Sequence, residues 1–88
     1  MQVEFLSSFN KDLSKLSSAP EREALKRLIL KLETFNLMTE IPHLKKLKGH
    51  PNAWRIRLGN YRIGLFLNNN VIQLARIVDR KDIYKVFP

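Results

Sequence analysis

The chain has 88 residues, a formal net charge of +8 and no cysteine. This length suits a single domain over residues 1–88 with one core, and the lack of cysteine excludes disulfides and thiolate metal sites. All of the excess positive charge lies in residues 41–88, because the charged side chains of residues 1–40 cancel. Such an asymmetric charge indicates a nucleic acid or an acidic protein as partner, rather than a neutral small substrate.

Neither a secretion signal nor a membrane span is expected. The apolar stretch at the N-terminus is too short for a signal peptide, and it includes Glu4. No apolar run approaches the length that crosses a bilayer. The sequence therefore predicts a soluble, cytoplasmic protein without a membrane partner.

The N-terminal half predicts a strand followed by two helices. Val3–Leu6 alternates apolar and polar residues, and Ser7 and Ser8 are predicted to cap the first helix. Residues 18–21 (Ser-Ala-Pro-Glu) have the pattern of a capping box with a proline in the first turn, which predicts a second helix up to Phe35. Because the link between them is short, we expect the helices to form an antiparallel hairpin.

A β-hairpin is predicted in the C-terminal half. In Trp54–Leu58 the apolar residues alternate with Arg55 and Arg57, so both arginines share one face of a strand. Gly59–Asn60 suits a two-residue turn, and this turn sets Arg57 directly opposite Arg62. Like charges in that position destabilise a sheet by up to ~1 kcal/mol. We therefore interpret the arginines as a basic patch for an anion, the alternative being an ordinary solvated face.

Weaker signals precede this hairpin. Leu44–Lys48 predicts a short strand, with Leu44, Lys46 and Lys48 on one face and the two residues between them on the other. A turn is predicted at residues 49–52 (Gly-His-Pro-Asn).

The end of the chain predicts a further strand and a short tail. Asn68–Asn70 predicts a turn, because asparagine tolerates left-handed backbone. Val71–Val78 is an apolar run typical of a central strand, and the last residues predict a short helical turn or an extended tail. The element order predicts an α+β domain, in which the N-terminal strand precedes a helix hairpin packed on a three- to four-stranded twisted antiparallel sheet.

Three segments of the sequence resemble the RelE/ParE superfamily, the toxins of bacterial and archaeal type II toxin–antitoxin pairs. They are Leu-Lys-Gly at 47–49, the stretch at 54–63, and Asp-Arg-Lys-Asp-Ile-Tyr at 79–84. The middle segment, a basic strand followed by Gly-Asn-Tyr-Arg, is the most specific. The element order is similar along the whole chain, so the resemblance implies a RelE-like fold.

The resemblance to RelE-type members implies an activity. These toxins cleave mRNA in the ribosomal A site by attack of a ribose 2′-hydroxyl on the adjacent phosphate, which implies a metal-independent endoribonuclease without a cofactor. The matching positions imply that Arg62 and Arg80 act on the phosphate and that Tyr84 transfers a proton. Arg55 and Arg57 stand where the family has two basic strand residues. The other residues predicted to contact RNA are Lys46, Lys48 and Lys81.

Other interpretations remain open from the sequence. The chain also fits a ParE-like inhibitor of DNA gyrase or a non-catalytic relative that only binds an antitoxin, and Tyr84 also fits a packing role. His43 and His50 are the only histidines, and neither has the cysteine or carboxylate neighbours that a metal site needs. A role of His50 as an acid or base near the phosphate is a further interpretation. The resemblance implies an acidic antitoxin, partly disordered alone, that forms a hetero-oligomer with this chain. The ribosome and mRNA are the other implied partners.

Overall fold

A five-stranded mixed sheet forms the centre of the computed structural model, which describes residues 1–88. Two helices cover its inner face, and a short third helix lies on its outer face. No helix is both long and apolar enough to span a membrane. The elements in chain order are β1 (Gln2–Phe5), α1 (Ser7–Ser14), α2 (Ala19–Thr34), a 3-10 turn (Met38–Glu40), β2 (Leu44–Lys46), β3 (Ala53–Leu58), β4 (Tyr61–Asn68), β5 (Val71–Asp79) and α3 (Ile83–Val86).

The α+β class is confirmed, but the sheet has more strands than predicted and is not purely antiparallel. Its order is β1-β5-β4-β3-β2, and β1 pairs in parallel with β5, from Gln2 opposite Val71 to Phe5 opposite Leu74. Alternation of apolar residues identifies a strand, but it does not tell which distant strand will be its neighbour. Because β5 has partners on both sides, it is a central strand, as its apolar run predicts.

The turns of the sheet follow the predicted chemistry. Gly59 has a φ of +58°, and the hairpin it opens sets Arg57 opposite Arg62, so the predicted register is confirmed. Asn69 and Asn70 have φ values of +50° and +64° in the turn between β4 and β5. These left-handed conformations fix the pairing of the strands on either side.

The inner face of the sheet holds the main core. Trp54 and Tyr61 pack against this core, as the alternation predicts. Burial of this apolar surface is the main driving force that holds α1 and α2 on the sheet. The buried members of the core are Phe9, Leu16, Leu25, Leu28, Leu32, Ile41, Ile56, Ile63, Leu65, Ile72, Leu74 and Ile77.

The helix starts agree only in part with the predicted caps. Ser18 precedes α2, and its hydroxyl donates a hydrogen bond to the carboxylate of Glu21. The predicted serine cap of α1 is wrong, because Leu6 occupies that position. The hydroxyl of Ser8 instead donates to the carbonyl of Ala75, at 2.5 Å. This bond occupies an acceptor on β5 at the end of its pairing with β1.

A polar contact between α1 and β5 lies beside that bond. The carboxylate of Asp12, only 8% exposed, accepts the backbone N–H of Ile77 at 3.0 Å. It also accepts two hydrogen bonds from the guanidinium of Arg76, at 2.7 and 3.0 Å. Hydrogen bonding to Asp12 raises the pKa of Arg76 above its ordinary value. The charged form of Arg76 therefore stabilises the fold below the ordinary arginine pKa as long as the Asp12 carboxylate keeps its charge, and strong alkali removes this contribution.

Candidate functional site

Basic side chains form a first row across the outer face of the sheet. Arg57 on β3 lies opposite Arg62 on β4. On its other side, the backbone N–H of Arg57 donates to the carbonyl of His43, the residue directly before β2, at 3.3 Å. The row therefore runs from His43 through Arg57 to Arg62 over three neighbouring chain segments.

A second row lies two residues along the same strands. Lys45 on β2 is opposite Arg55 on β3, and Arg55 is opposite Gly64 on β4. Residues two apart on a strand point to the same face, so the side chains of both rows point outward together.

The two rows enclose one concavity of about 350 Å³, which we call the basic concavity. No carboxylate lines it, so its potential is positive and attracts anions. The resemblance alone does not single out Lys45 and His43, and both belong to the concavity. Its lining residues are His43, Leu44, Lys45, Arg55, Arg57 and Arg62.

The guanidinium of Arg62 is held by the backbone of the hairpin turn. Its Nη1 donates to the carbonyls of Gly59 and Tyr61, at 3.0 and 2.9 Å. These two bonds use one of the three nitrogen atoms of the guanidinium, so its remaining N–H groups stay available to an anion. Planar guanidinium groups bind phosphate oxygens in pairs, which makes phosphate a fitting ligand.

An imidazole lies against the other arginine of the first row. Nη2 of Arg57 lies 3.0 Å from Nδ1 of His43. A guanidinium has only donors, so Nδ1 of His43 is the acceptor and carries no proton. His43 also has a left-handed backbone, with a φ of +59°.

Tyr84 on α3 is in contact with the second row. Its ring centroid lies 4.7 Å from the guanidinium carbon of Arg55, and the side chain is 74% exposed. This exposure rules out the alternative interpretation of Tyr84 as a core residue. The structure therefore brings Tyr84 and Arg55 together over the outer face.

The position of Tyr84 depends on an apolar anchor within the same short segment. Ile83 and Phe87 are 1% and 7% exposed, and they pack with Ala53 and Ala75 on the apolar part of the outer face. The ring of Phe87 occupies the space above Gly64, where an added Cβ lies 2.4 Å from the ring. A glycine is thus required at this position of β4 for α3 to pack as it does.

Arg80 and Lys81 follow the end of β5. The backbone N–H of Arg80 donates to the carbonyl of Asn60 at 2.9 Å, which holds this segment beside the hairpin turn that also binds Arg62. The side chains of both residues are exposed, and neither lines the basic concavity. They lie at the same end of the sheet as the first row.

Lys46 and Lys48 lie apart from the arginines. Lys46 is opposite Trp54 on the inner side of the sheet edge, with its ammonium 5.6 Å from the centre of the indole ring. Lys48 lines a different concavity, of about 470 Å³, together with Lys46 and His50. The alternation of β2 explains this separation, because Leu44 faces inward and therefore turns Lys46 inward and Lys45 outward.

Comparison with known proteins gives relatives over the full length of the chain. No protein-family model matches it. The toxin RelE3 of Methanocaldococcus jannaschii is 38% identical over 89 residues, which cover 100% of both chains.

Solved structures resemble the fold closely. The RelB–RelE antitoxin–toxin complex from Methanococcus jannaschii matches with a TM-score of 0.82 at 38% identity, over 97% of this chain and 99% of that chain. The RelE–RelB complex from Pyrococcus horikoshii matches with a TM-score of 0.70 at 23% identity, over 90% and 93%. At that lower identity the second match shows a shared fold alone.

Proposed function

The chain belongs to the RelE family of toxins, and on that basis we propose that it is the toxin of a type II toxin–antitoxin pair that cleaves mRNA on the ribosome. We infer that residues 1–88 act as a single toxin domain. The substrate is the phosphodiester backbone of a message, and the product is a cut message that can no longer be translated.

The observation that carries this proposal is the convergence of three arginines with a tyrosine. Arg55, Arg57 and Arg62 line the basic concavity, and the ring of Tyr84 stacks on Arg55. Guanidinium groups bind a phosphodiester and neutralise the negative charge that grows on its oxygens as phosphorus becomes five-coordinate. A phenol beside them can give or take a proton.

The proposed reaction needs no group beyond the chain and its substrate. The ribose 2′-hydroxyl gives its proton to a general base as its oxygen attacks the adjacent phosphorus, and the bond from phosphorus to the 5′-oxygen breaks. Arg55, Arg57 and Arg62 in the basic concavity bind the phosphate and neutralise its charge. We assign Arg80, which lies outside the concavity at the same end of the sheet, to act on the phosphate from its flank. Tyr84 protonates the leaving oxygen. We propose that the reaction proceeds without a metal ion, because the guanidinium groups supply the positive charge that stabilises the five-coordinate phosphorus.

The exposed lysines extend the proposed RNA contact. Lys45 lines the basic concavity and Lys81 follows Arg80, so both can bind phosphates that flank the cut. Lys46 and Lys48 border the neighbouring concavity, and we assign them to RNA farther from the cut.

We further propose a cognate antitoxin as the partner of this chain. The matched structures from M. jannaschii and P. horikoshii are complexes of RelE with RelB. The net charge of +8 favours an acidic partner, and its excess lies in the half of the chain that forms the basic concavity. A hetero-oligomer of toxin and antitoxin follows from this pairing.

The test of the proposed function is cell-free translation with purified protein, followed by primer extension on the message with and without ribosomes. We expect cuts inside codons that appear only with ribosomes. Replacing Arg55, Arg57 and Arg62 together by alanine should abolish the cuts. A matched control replaces three exposed cations of α2 on the other side of the sheet by alanine, and this variant should still cut the message. The three residues are Lys26, Arg27 and Lys31. Intact message with folded wild-type protein on translating ribosomes would overturn the proposal.

A further inference from the structure

His43 differs from the other charged or titratable groups around the basic concavity. Lys45 from β2, Arg55 and Arg57 from β3, and Arg62 from β4 are cations at neutral pH. Tyr84 from α3 lies over Arg55. The imidazole of His43 is the one nitrogen base among these side chains that offers a lone pair, so His43 is the group suited to accept a proton.

His43 makes two contacts with Arg57, one through its imidazole and one through its backbone carbonyl. Nη2 of Arg57 donates to Nδ1 at 3.0 Å, and the backbone N–H of Arg57 donates to the carbonyl of His43 at 3.3 Å. The φ of +59° is a conformation in which histidine is enriched several-fold over other non-glycine residues. The sequence and the local fold thus hold an unprotonated nitrogen beside a phosphate-binding guanidinium.

Binding of a phosphate changes this contact. A charge-assisted hydrogen bond from guanidinium to phosphate is stronger than a bond from guanidinium to a neutral imidazole. A phosphate bound by Arg57 would therefore draw the guanidinium away from His43 and leave the lone pair of Nδ1 free. Because His43 lines the basic concavity, this nitrogen would then lie beside the bound phosphate.

We propose that His43 is the general base of the cleavage reaction and that its Nδ1 takes the proton of the ribose 2′-hydroxyl. This inference rests on the proposed function. The 2′-oxygen forms a bond to phosphorus as its proton passes to Nδ1, and the bond from phosphorus to the 5′-oxygen breaks. The 5′-oxygen takes the phenol proton of Tyr84. The products are a 2′,3′-cyclic phosphate and a 5′-hydroxyl, and proton exchange with water restores the imidazole and the phenol.

A positioning role and a general-base role for His43 predict different results. His43→Asn keeps the left-handed backbone and offers a carbonyl acceptor to Arg57, but it cannot take up a proton. His43→Gln has a longer reach with the same limitation. A positioning role leaves the pH dependence of the rate intact in both variants, whereas a general base removes the part of that dependence due to the imidazole.

The experiment is single-turnover cleavage on programmed ribosomes from about pH 5.5 to about pH 8.5, the range around which imidazoles titrate. Wild-type protein should cleave faster as the pH rises through this range. His43→Asn and His43→Gln should lose about 100-fold in rate or more and should lose this rise. Binding to the ribosome, measured by co-sedimentation, should change by no more than about twofold, because the arginines remain.

Two further variants make the result specific. His43→Gly suits the left-handed backbone, and free imidazole added to it should restore part of the rate. His50→Asn removes the other histidine, which lines the neighbouring concavity, and should keep the wild-type pH profile. A His43→Asn protein whose cleavage rate still rises with pH as in the wild type would overturn the role of His43 as the base but leave the proposed function standing. A wild-type protein that cuts no message would overturn both this role and the proposed function.

Discussion

The two faces of strand β4 contrast sharply within a few residues. Ile63 and Leu65 are 0% exposed and point into the core under α1 and α2. Arg62 and Gly64, which alternate with them, belong to the outer face, where Arg62 lies directly opposite Arg57. The inner side chains lower the free energy of folding by burial, whereas the outer pair raises it by repulsion between like charges.

This contrast indicates which residues serve the fold and which serve binding. A repulsive pair on a rigid sheet is useful when an anion binds between the charges and removes the repulsion. The outer face is itself divided, because Ile83 and Phe87 cover its apolar part while the basic rows stay open. We therefore expect substitutions on the inner face to affect stability, and those in the basic rows to affect cleavage.

The largest effect on stability is expected from Leu65→Ala. The side chain is fully buried in the main core, and removing it leaves a cavity that costs about 2–5 kcal/mol in the free energy of unfolding. Urea denaturation followed by circular dichroism measures this loss. The matched control is Leu30→Ala on α2, where the leucine is 61% exposed and the expected change is within about 0.5 kcal/mol. Equal losses for the two variants would contradict the assignment of the core.

Arg62→Ala should lower the cleavage rate strongly and leave the stability of the fold nearly unchanged. Loss of a guanidinium that stabilises the transition state should lower the cleavage rate by about 100- to 1000-fold. The free energy of unfolding should change by no more than about 1 kcal/mol, because relief of the repulsion with Arg57 offsets the loss of the two hydrogen bonds from Arg62 to the hairpin turn. Arg62→Lys keeps the charge but lacks the planar guanidinium, so its cleavage rate should lie between those of the wild-type protein and Arg62→Ala. A variant that unfolds more easily and cleaves normally would place Arg62 among the structural residues.

Gly64→Ala should lower both the stability and the cleavage rate moderately, because α3 packs on the sheet at this residue. The added Cβ lies 2.4 Å from the ring of Phe87, so α3 must move, at a cost of about 1–3 kcal/mol in stability. Tyr84 moves with it off Arg55, and the cleavage rate should fall by about tenfold or more. The double variant Gly64→Ala with Phe87→Leu has more room and should recover part of both losses. No recovery in the double variant would show that the contact with Phe87 is not the cause.

The sequence predicted the elements that local chemistry controls. The turn at Gly59 fixes the pairing of β3 with β4, and the two left-handed asparagines fix that of β4 with β5, so these registers follow from neighbouring residues. The parallel pairing of β1 with β5 did not follow, nor did the use of Ser8 to bond β5 instead of capping α1. Both depend on residues distant in sequence, whose contact no local pattern reports.

The candidate site shows the same limit. Arg55, Arg57 and Arg62 were predicted together because one hairpin carries all three. The contact of Tyr84 with Arg55 depends on how α3 packs, which the apolar residues near it suggest but do not fix. The sequence argues against a metal site at His43 and assigns it no other role, because only the strand pairing brings its imidazole to Arg57.

The pair Lys45 and Lys46 provides the smallest and most discriminating test of the two faces. Lys46 is the residue of this strand that is predicted to contact RNA, yet its ammonium lies over Trp54 while Lys45 lines the basic concavity. Each substitution to alanine removes one charge from the same three-residue strand, so each serves as the control of the other. If RNA near the cut lies in the basic concavity, Lys45→Ala should weaken binding to programmed ribosomes by about threefold to tenfold and reduce its salt dependence, since one phosphate contact is lost. Lys46→Ala should change binding by about twofold or less, because its ammonium lies over the indole ring of Trp54 and contributes only a weak contact to RNA farther from the cut. The opposite ranking would move the RNA path around the edge of β2 and toward the concavity that Lys46 shares with Lys48.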